Sequence, residues 1–441
     1  MTAEPFSTRP GIPASQITDV PLGLAELQDR PQMSRLLRQR GMRAVVADAK
    51  AELFFQCADA MAAKGISAAQ PFFVPGRIEL LGKHTDYCGG RSLLCAVERG
   101  FCLLVSRRED RQVHLHGVAT GQTASFRLAA DLQPTAGHWT NYAMTVARRV
   151  AANFGPALIG CDITFISDLP QAAGLSSSSA FIIGVFLALA AVNRLDQTPA
   201  YRDNIHTVED LANYLGCCEN GSTFGTLAGI AGVGTFGGSQ DHTAILCCRP
   251  DQLSVFSFCP VRREADIPLP ADVVLKVFPS GVIAEKTGSA MAKYNAVSLR
   301  ARKLVELWND ASGQDQTCLN GVVTSSPDAV QRLRQLLHAQ PAVSDELALE
   351  ARLDQFIAES NRLIPKIVES IEARRWNEIG PLVDESQRLA ETHLLNQVPQ
   401  TIELQRSARH DGAIAASAFG AGFGGSVWTM YAAEPLSRPP N

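Results

Sequence analysis

The chain has no excess of basic residues. Its 441 residues hold 40 Lys and Arg against 44 Asp and Glu, for a net charge of −4. That balance does not favour a nucleic acid or an acidic membrane surface as partner. Short basic spots such as Arg107-Arg108 and Arg262-Arg263 read as solvated edges. No Cys-x-x-Cys occurs among the 11 cysteines, which include the adjacent pairs Cys217-Cys218 and Cys247-Cys248. Neither a disulfide framework nor a zinc site is suggested. Many of the cysteines lie in apolar runs, as small core residues do, and a cytoplasmic setting suits them. No secretory signal is read in the polar opening Met1 to Arg9. The longest apolar run, Ala180 to Val192, is too short to span a bilayer and reads as a buried helix. Internal repeats and long low-complexity segments are absent. What remains is a chain with room for two domains, or one large one, and for a core without disulfides or metal.

Hydrophobic periodicity places the elements coarsely. Residues 1 to about 30 are rich in Pro and polar residues and read as poorly ordered. Met33 to Arg40 and Ala47 to Lys64 are predicted helices, the second stopping at Gly65. Phe72 to Val74 and Leu93 to Val105 carry strand-like runs around a polar turn from Arg77 to Gly90. Val113 to Val118 and Ala124 to Leu128 alternate like hairpin strands. Trp139 to Ala152 reads as a helix capped by Thr140 or Asn141, and Cys161 to Ile166 as a strand. Val273 to Phe278 is a further strand, Lys286 to Trp308 a long helix, and Ser325 to Asn396 mostly amphipathic helix. Gly412 to Ala432 returns to glycine-rich strand character. The charged stretch Arg262 to Asp266 suggests a boundary near 265 to 272.

Three stretches carry chemistry. Pro75 to Gly90 reads Pro-Gly-Arg-Ile-Glu-Leu-Leu-Gly-Lys-His-Thr-Asp-Tyr-Cys-Gly-Gly. Arg77, Lys83, His84 and Asp86 in so short a run suit a small, polar, hydroxylated ligand, with a solvated turn as the plain alternative. Gly174-Leu175-Ser176-Ser177-Ser178-Ser179 follows a strand and opens an apolar helix. Free N–H groups at a helix start plus serine hydroxyls make an anion site; an N-cap alone would need one serine. Gly420-Ala421-Gly422-Phe423-Gly424-Gly425-Ser426 is a third small-residue loop. It formally matches Gly-x-Gly-x-x-Gly, but strand-like Val427 to Tyr431 follows it, so the dinucleotide context fails. Asp241, after Gly237-Gly238-Ser239-Gln240, is a candidate acid, or else an Asx turn.

These stretches, in this order, resemble the three signatures of the galactokinases, within the GHMP small-molecule kinases. The resemblance is spread from about Phe72 to Tyr431. The first signature departs at Glu79, where Asn is usual, and at Lys83, where Glu is usual. The second has Ala172 in place of a glycine, and the third ends in Ser426 in place of a cysteine. The resemblance implies an α+β, two-domain GHMP kinase architecture: a ribosomal S5-like N-terminal domain (71–268) and a ferredoxin-like C-terminal domain (269–435). A partly helical extension (1–70) precedes them. It implies ATP, Mg2+ and a small-molecule sugar as ligands, with phosphoryl transfer to an anomeric hydroxyl. A monomer is compatible with the sequence.

The resemblance also implies roles. Asp241 would receive or orient the proton, and Arg77 would neutralise it and keep it ionised. Lys83, His84, Asp86, Gly238 and Tyr294 would bind sugar, although Tyr294 also reads as a helix-surface aromatic. Gly174, Leu175, Ser176, Ser177, Ser178, Ser179, Gly422 and Gly424 would bind ATP. Ser178 and Glu219 would hold magnesium, which needs few protein oxygens. The family glutamate at position 83 accepts a hydrogen bond from a hexose C6 hydroxyl, whereas Lys83 offers only donors and a positive charge. A uronic acid such as galacturonate is therefore an alternative to galactose or a close aldose. Glu219-Asn220-Gly221 also faintly resembles galacturonokinases, while pairing of Glu79 with Lys83 would leave the site neutral. A non-catalytic sugar and ATP sensor is the third reading.

Overall fold

The computed structural model describes residues 4–135, 137–155, 157–170, 173–283 and 291–433. Ala172, the first turn predicted for the Lys286 helix, and the end of the C-terminal segment lie outside these residues.

Two sheets organise the chain. The larger is built on two long antiparallel strands, Ala68–Leu81 and Arg91–Arg107. From Arg91–Arg107 the sheet extends one way through Gln252–Ser257 to Arg262–Pro268, and the other way through Cys161–Ser167 and Gln112–Gly117 to Thr123–Arg127. The smaller sheet is antiparallel, in the order Phe6–Thr8, Val273–Pro279, Ser426–Ala432, Ala415–Ala418.

Side-chain alternation separates two cores on the large sheet. Phe72, Val74, Leu103, Val105 and Ile163 join the main core, which includes helices Thr140–Phe154, Ser177–Asn193, Val208–Asn220 and Gln240–Cys247. Phe73, Cys102, Leu104 and Ile166 point the other way, onto helices Arg30–Gln39 and Ala44–Ala62. On that face Lys50 is buried and ion-paired with Asp168 at the turn leading to the serine loop. A third core gathers Leu304, Trp308, Leu333 and Phe356 from the helices after Met291.

Three sequence expectations change. The opening residues are not loose: Phe6–Thr8 pairs with the strand at Val273, and Ser15–Gln16 and Leu22–Gly23 pair with the strand Ala68–Leu81. Pro-rich sequence cannot build a central strand, but it can supply short edge pieces. The turn predicted from Arg77 to Gly90 is shorter, because strand pairing continues through Leu81 with irregularities at Pro75/Arg77 and Glu79/Leu81. Arg77 and Glu79 are therefore strand residues on one face. The cap predicted at Thr140 or Asn141 is replaced by Trp139, which makes no side-chain cap bond. Among the described residues no helix is long and apolar enough to cross a membrane.

Candidate functional site

The strand Ala68–Leu81 brings the cation of the site against the serine loop. Gly76 has no side chain because a Cβ there would lie 2.8 Å from the Leu175 carbonyl oxygen. That close approach lets the Arg77 amide donate to Leu175 O at 3.2 Å. The Arg77 guanidinium then donates from Nη1 to Gly174 O at 2.6 Å and from Nε to Asp241 Oδ1 at 2.7 Å. Arg77 is only 1% exposed. One buried guanidinium thus ties the serine loop to the candidate acid, a pair whose attraction is little screened by water.

Asp241 sits in the first turn of the helix Gln240–Cys247. The Gly237-Gly238 turn before it is packed too tightly for larger residues. A Cβ on Gly238 would meet Asp86 Oδ2 at 2.5 Å, and one on Gly237 would meet the Tyr294 hydroxyl at 2.6 Å. Asp86 Oδ2 in turn accepts from the Gln240 amide at 3.1 Å. His84 packs its ring 5.3 Å from that of Tyr294, and its Nε2 lies 3.1 Å from Ala421 O. A carbonyl only accepts, so Nε2 carries the proton and Nδ1 accepts from the Tyr87 hydroxyl at 2.8 Å. Burial pushes the phenols of Tyr87 and Tyr294 well above their ordinary range, so both stay hydrogen-bond donors. Tyr294 is buried in the helix Met291–Ser312 rather than on its surface.

These groups line one cavity. Arg77, His84, Asp86, Gly238, Asp241 and Tyr294 from the sequence reading all border it, as does Glu219. The serine loop opens the helix Ser177–Asn193, with Gly174 and Ser176 in left-handed backbone conformation (φ 73° and 59°). Its free N–H groups are the kind that hold phosphate. The Gly420 loop closes on it: a Cβ at Gly420 would lie 3.2 Å from Gly174 O, and Ser426 Oγ donates to Ala173 O at 2.7 Å. Gly420 and Ala421 border the cavity. Gly422 and Gly424 are instead pressed against Asn396 and Val282, where a Cβ would come within 2.3 and 2.8 Å of carbonyl oxygens.

Two expected positions shift. Ser179, not Ser178, meets Glu219, with Ser179 Oγ donating to Glu219 Oε2 at 2.9 Å and lying 3.4 Å from Asp241 Oδ2. Successive helix residues are about 100° apart, so only one of the two can face Glu219. A hydroxyl and a carboxylate are the oxygen donors magnesium prefers, so the pair Ser179 and Glu219 fits that ion. His242 Nε2 stands 3.3 Å from the same Glu219 oxygen.

The second shift is Lys83. Its ammonium does not border the cavity. It is 1% exposed and donates to Ser417 Oγ at 2.8 Å and Ser386 Oγ at 3.3 Å. Glu359 completes that polar cluster by accepting from the Gly82 amide at 2.8 Å and from Ser386 Oγ at 3.0 Å. Glu79, a departure noted in the sequence, borders the cavity instead. Burial, the dominant cause, pushes its carboxyl up to about 8 against the opposing pull of Lys83 and Arg77. Gln240, whose side-chain amide donates to Gly82 O at 2.8 Å and Ser92 Oγ at 2.7 Å, has nothing in its dipeptide that marks it. Glu359 lies in an ordinary helical stretch and carries no local signal either.

A family described as "Galactokinase galactose-binding signature" matches residues 65–107, and "GHMP kinases N terminal domain" matches 141–243. A galactokinase of Actinobacillus pleuropneumoniae is 33% identical over 121 residues, 27% of this chain and 32% of that protein. The matched part thus spans about a third of that relative. A galactokinase of Glaesserella parasuis is 23% identical over 84% of this chain and 88% of its own length. The crystal structure of Lactococcus lactis galactokinase complexed with galactose superposes with a TM-score of 0.65 at 22% identity, covering 82% of this chain and 86% of that one. The fold is therefore the α+β GHMP kinase architecture.

Proposed function

We propose that this chain, a member of the galactokinase family of the GHMP small-molecule kinases, transfers the γ-phosphoryl group of ATP to the anomeric hydroxyl of a neutral aldose such as galactose. The observation that carries the reading is Arg77, which holds the serine loop through Gly174 O and the acid Asp241 through Oδ1. A phosphate on the loop and a hydroxyl at Asp241 would then be fixed relative to one another by one buried side chain. Phosphoryl transfer needs little more than such in-line positioning, with charge neutralisation and a proton acceptor.

In this reading Asp241 accepts or orients the proton of the attacking hydroxyl. Arg77 sets the carboxylate's position and offsets its charge. His84, Asp86, Gly238 and Tyr294 shape the sugar pocket around it. The serine loop, Gly174 to Ser179, receives the ATP phosphates at the helix start. Ser179 and Glu219 would hold magnesium, which would neutralise phosphate charge when bound. The chain would work in the cytoplasm on small molecules, divided into units of residues 71–268 and 269–435 behind the extension 1–70.

Lys83 bears on the substrate. With its ammonium on Ser417 and Ser386, it offers no cation to a sugar carboxylate, which supports a neutral aldose over a uronate. The presence of Arg77, Asp241 and a serine hydroxyl beside Glu219 supports catalysis over sensing. The test is sugar-dependent ADP release followed by phosphorus NMR of the product. Coupling of the new phosphorus signal to the anomeric proton is the expected result. A phosphate on another carbon, or no sugar-dependent release, would overturn the proposal.

A further inference from the structure

Glu79 is a buried carboxyl that the chemistry just described does not use. It stands two residues after Arg77 on the same strand, so both side chains leave the same face. It is 1% exposed and borders the sugar cavity. Its Oε1 is buried with no hydrogen-bond partner among the described residues. An orphaned acceptor at a cavity wall is costly unless a ligand completes it.

The nearby cations are engaged elsewhere. Arg77 is the only Lys or Arg among the described residues lining the cavity, and it is bound to Asp241 and Gly174. Lys83 is turned toward Ser417 and Ser386. The acidic neighbours are Asp86, Asp241 and Glu219 in the cavity wall and Glu359 behind it. A negative charge on a sugar would meet these carboxylates with no uncommitted Lys or Arg facing it among the described residues.

We infer that Glu79 is a specificity-determining residue of this cavity, its carboxyl reading one hydroxyl of the sugar, so that the site takes an uncharged hexose in preference to the matching uronate. The inference rests on the kinase reading only for the location of the sugar. A neutral carboxyl has one O–H donor and one carbonyl acceptor, which matches a hydroxyl that both accepts and donates. A substrate carboxylate can only accept and would leave the second oxygen of Glu79 unpaired. The upward push of burial on this group agrees with a neutral carboxyl near pH 7. Glu79 is thus the acid of this strand that borders the cavity, while Lys83 serves a different cluster.

The test is calorimetric binding of galactose, glucose, their uronates and the monodeoxy derivatives of whichever hexose binds. It uses the full chain as wild type, Glu79→Gln and Glu79→Ala. The wild type is expected to bind the hexose at least about 10-fold more tightly than its uronate, and one deoxy sugar about 10-fold more weakly than its parent. In Glu79→Ala that deoxy penalty should shrink to about 2-fold or less. Glu79→Gln, nearly the same shape, supplies the comparison if the alanine variant does not fold. Equal or tighter binding of the uronate, deoxy penalties unchanged in both variants, or no binding of any sugar would each overturn the inference. ADP release in the same samples separates the two readings, since sugar binding without ATP turnover would sink the kinase and leave the role of Glu79 standing.

Discussion

Replacing Glu79 with Gln should change stability in a way that depends on pH, and the structure sets both sign and size. Burial raises the Glu79 carboxyl from its ordinary 4.5 to about 8 in the folded chain. Between those values the folded state holds a proton that the unfolded state has released. Stability attributable to this group therefore falls as pH rises through that window and levels off above about 8. At 1.36 kcal/mol per pH unit the interval bounds the loss at about 5 kcal/mol. Relaxation around a buried carboxylate, including movement of Lys83, brings the expectation down to about 2–3 kcal/mol. Glutamine does not titrate, so the variant escapes the loss. The assay is urea denaturation of both proteins from pH 4.5 to 9. The stability of Glu79→Gln minus that of wild type should increase by about 2–3 kcal/mol across the range, whatever its starting offset. A difference that stays constant with pH, or falls, would show that Glu79 does not hold its proton in the folded chain, because other titrating groups are shared and cancel.

Ser179→Ala should raise the magnesium concentration needed for half-maximal activity by about 10-fold, and Ser178→Ala by about 2-fold or less; the reverse order would restore the pair expected from the sequence. Lys83→Met should cost about 1–3 kcal/mol in urea denaturation, since it strips the donor from the buried hydroxyls of Ser417 and Ser386. It should leave the preference between neutral hexose and uronate unchanged, and a variant that gains or loses uronate turnover would contradict the placement of Lys83. Gly238→Ala brings a methyl to 2.5 Å from Asp86 Oδ2. It should raise the KM for sugar about 10-fold or more with little effect on the KM for ATP; equal effects on both would place Gly238 outside the sugar pocket.

The parts of this site legible in the sequence are those whose chemistry is local. A serine run before an apolar helix can be read as an anion loop because all its groups lie in one turn. Glycines around Asp241 announce a close approach, and Gly238 against Asp86 is that approach. Arg77 was legible as a cation, but its strand position was not, since two prolines and a glycine precede it and read as a turn. Side-chain direction was the main loss. Lys83 and Glu79 were both visible as departures, yet which one faces the cavity depends on Ser386, Ser417 and Glu359, about 280 to 330 residues away in sequence. The choice between Ser178 and Ser179 turned on helix phase, which a loop-level reading leaves open. The opening residues read as loose because local composition hides pairing with a strand near residue 277.

In the proposed function Asp241, held by Arg77, serves phosphoryl transfer to a sugar. The most direct test of this role is ADP release with ATP, magnesium and a panel of neutral aldoses and uronates, comparing wild type with Asp241→Asn. Sugar-dependent turnover with a neutral aldose is expected, falling at least about 1000-fold in Asp241→Asn while ATP still binds. Turnover that survives in Asp241→Asn, or ATP binding with no turnover on any sugar in the wild type, would contradict that role.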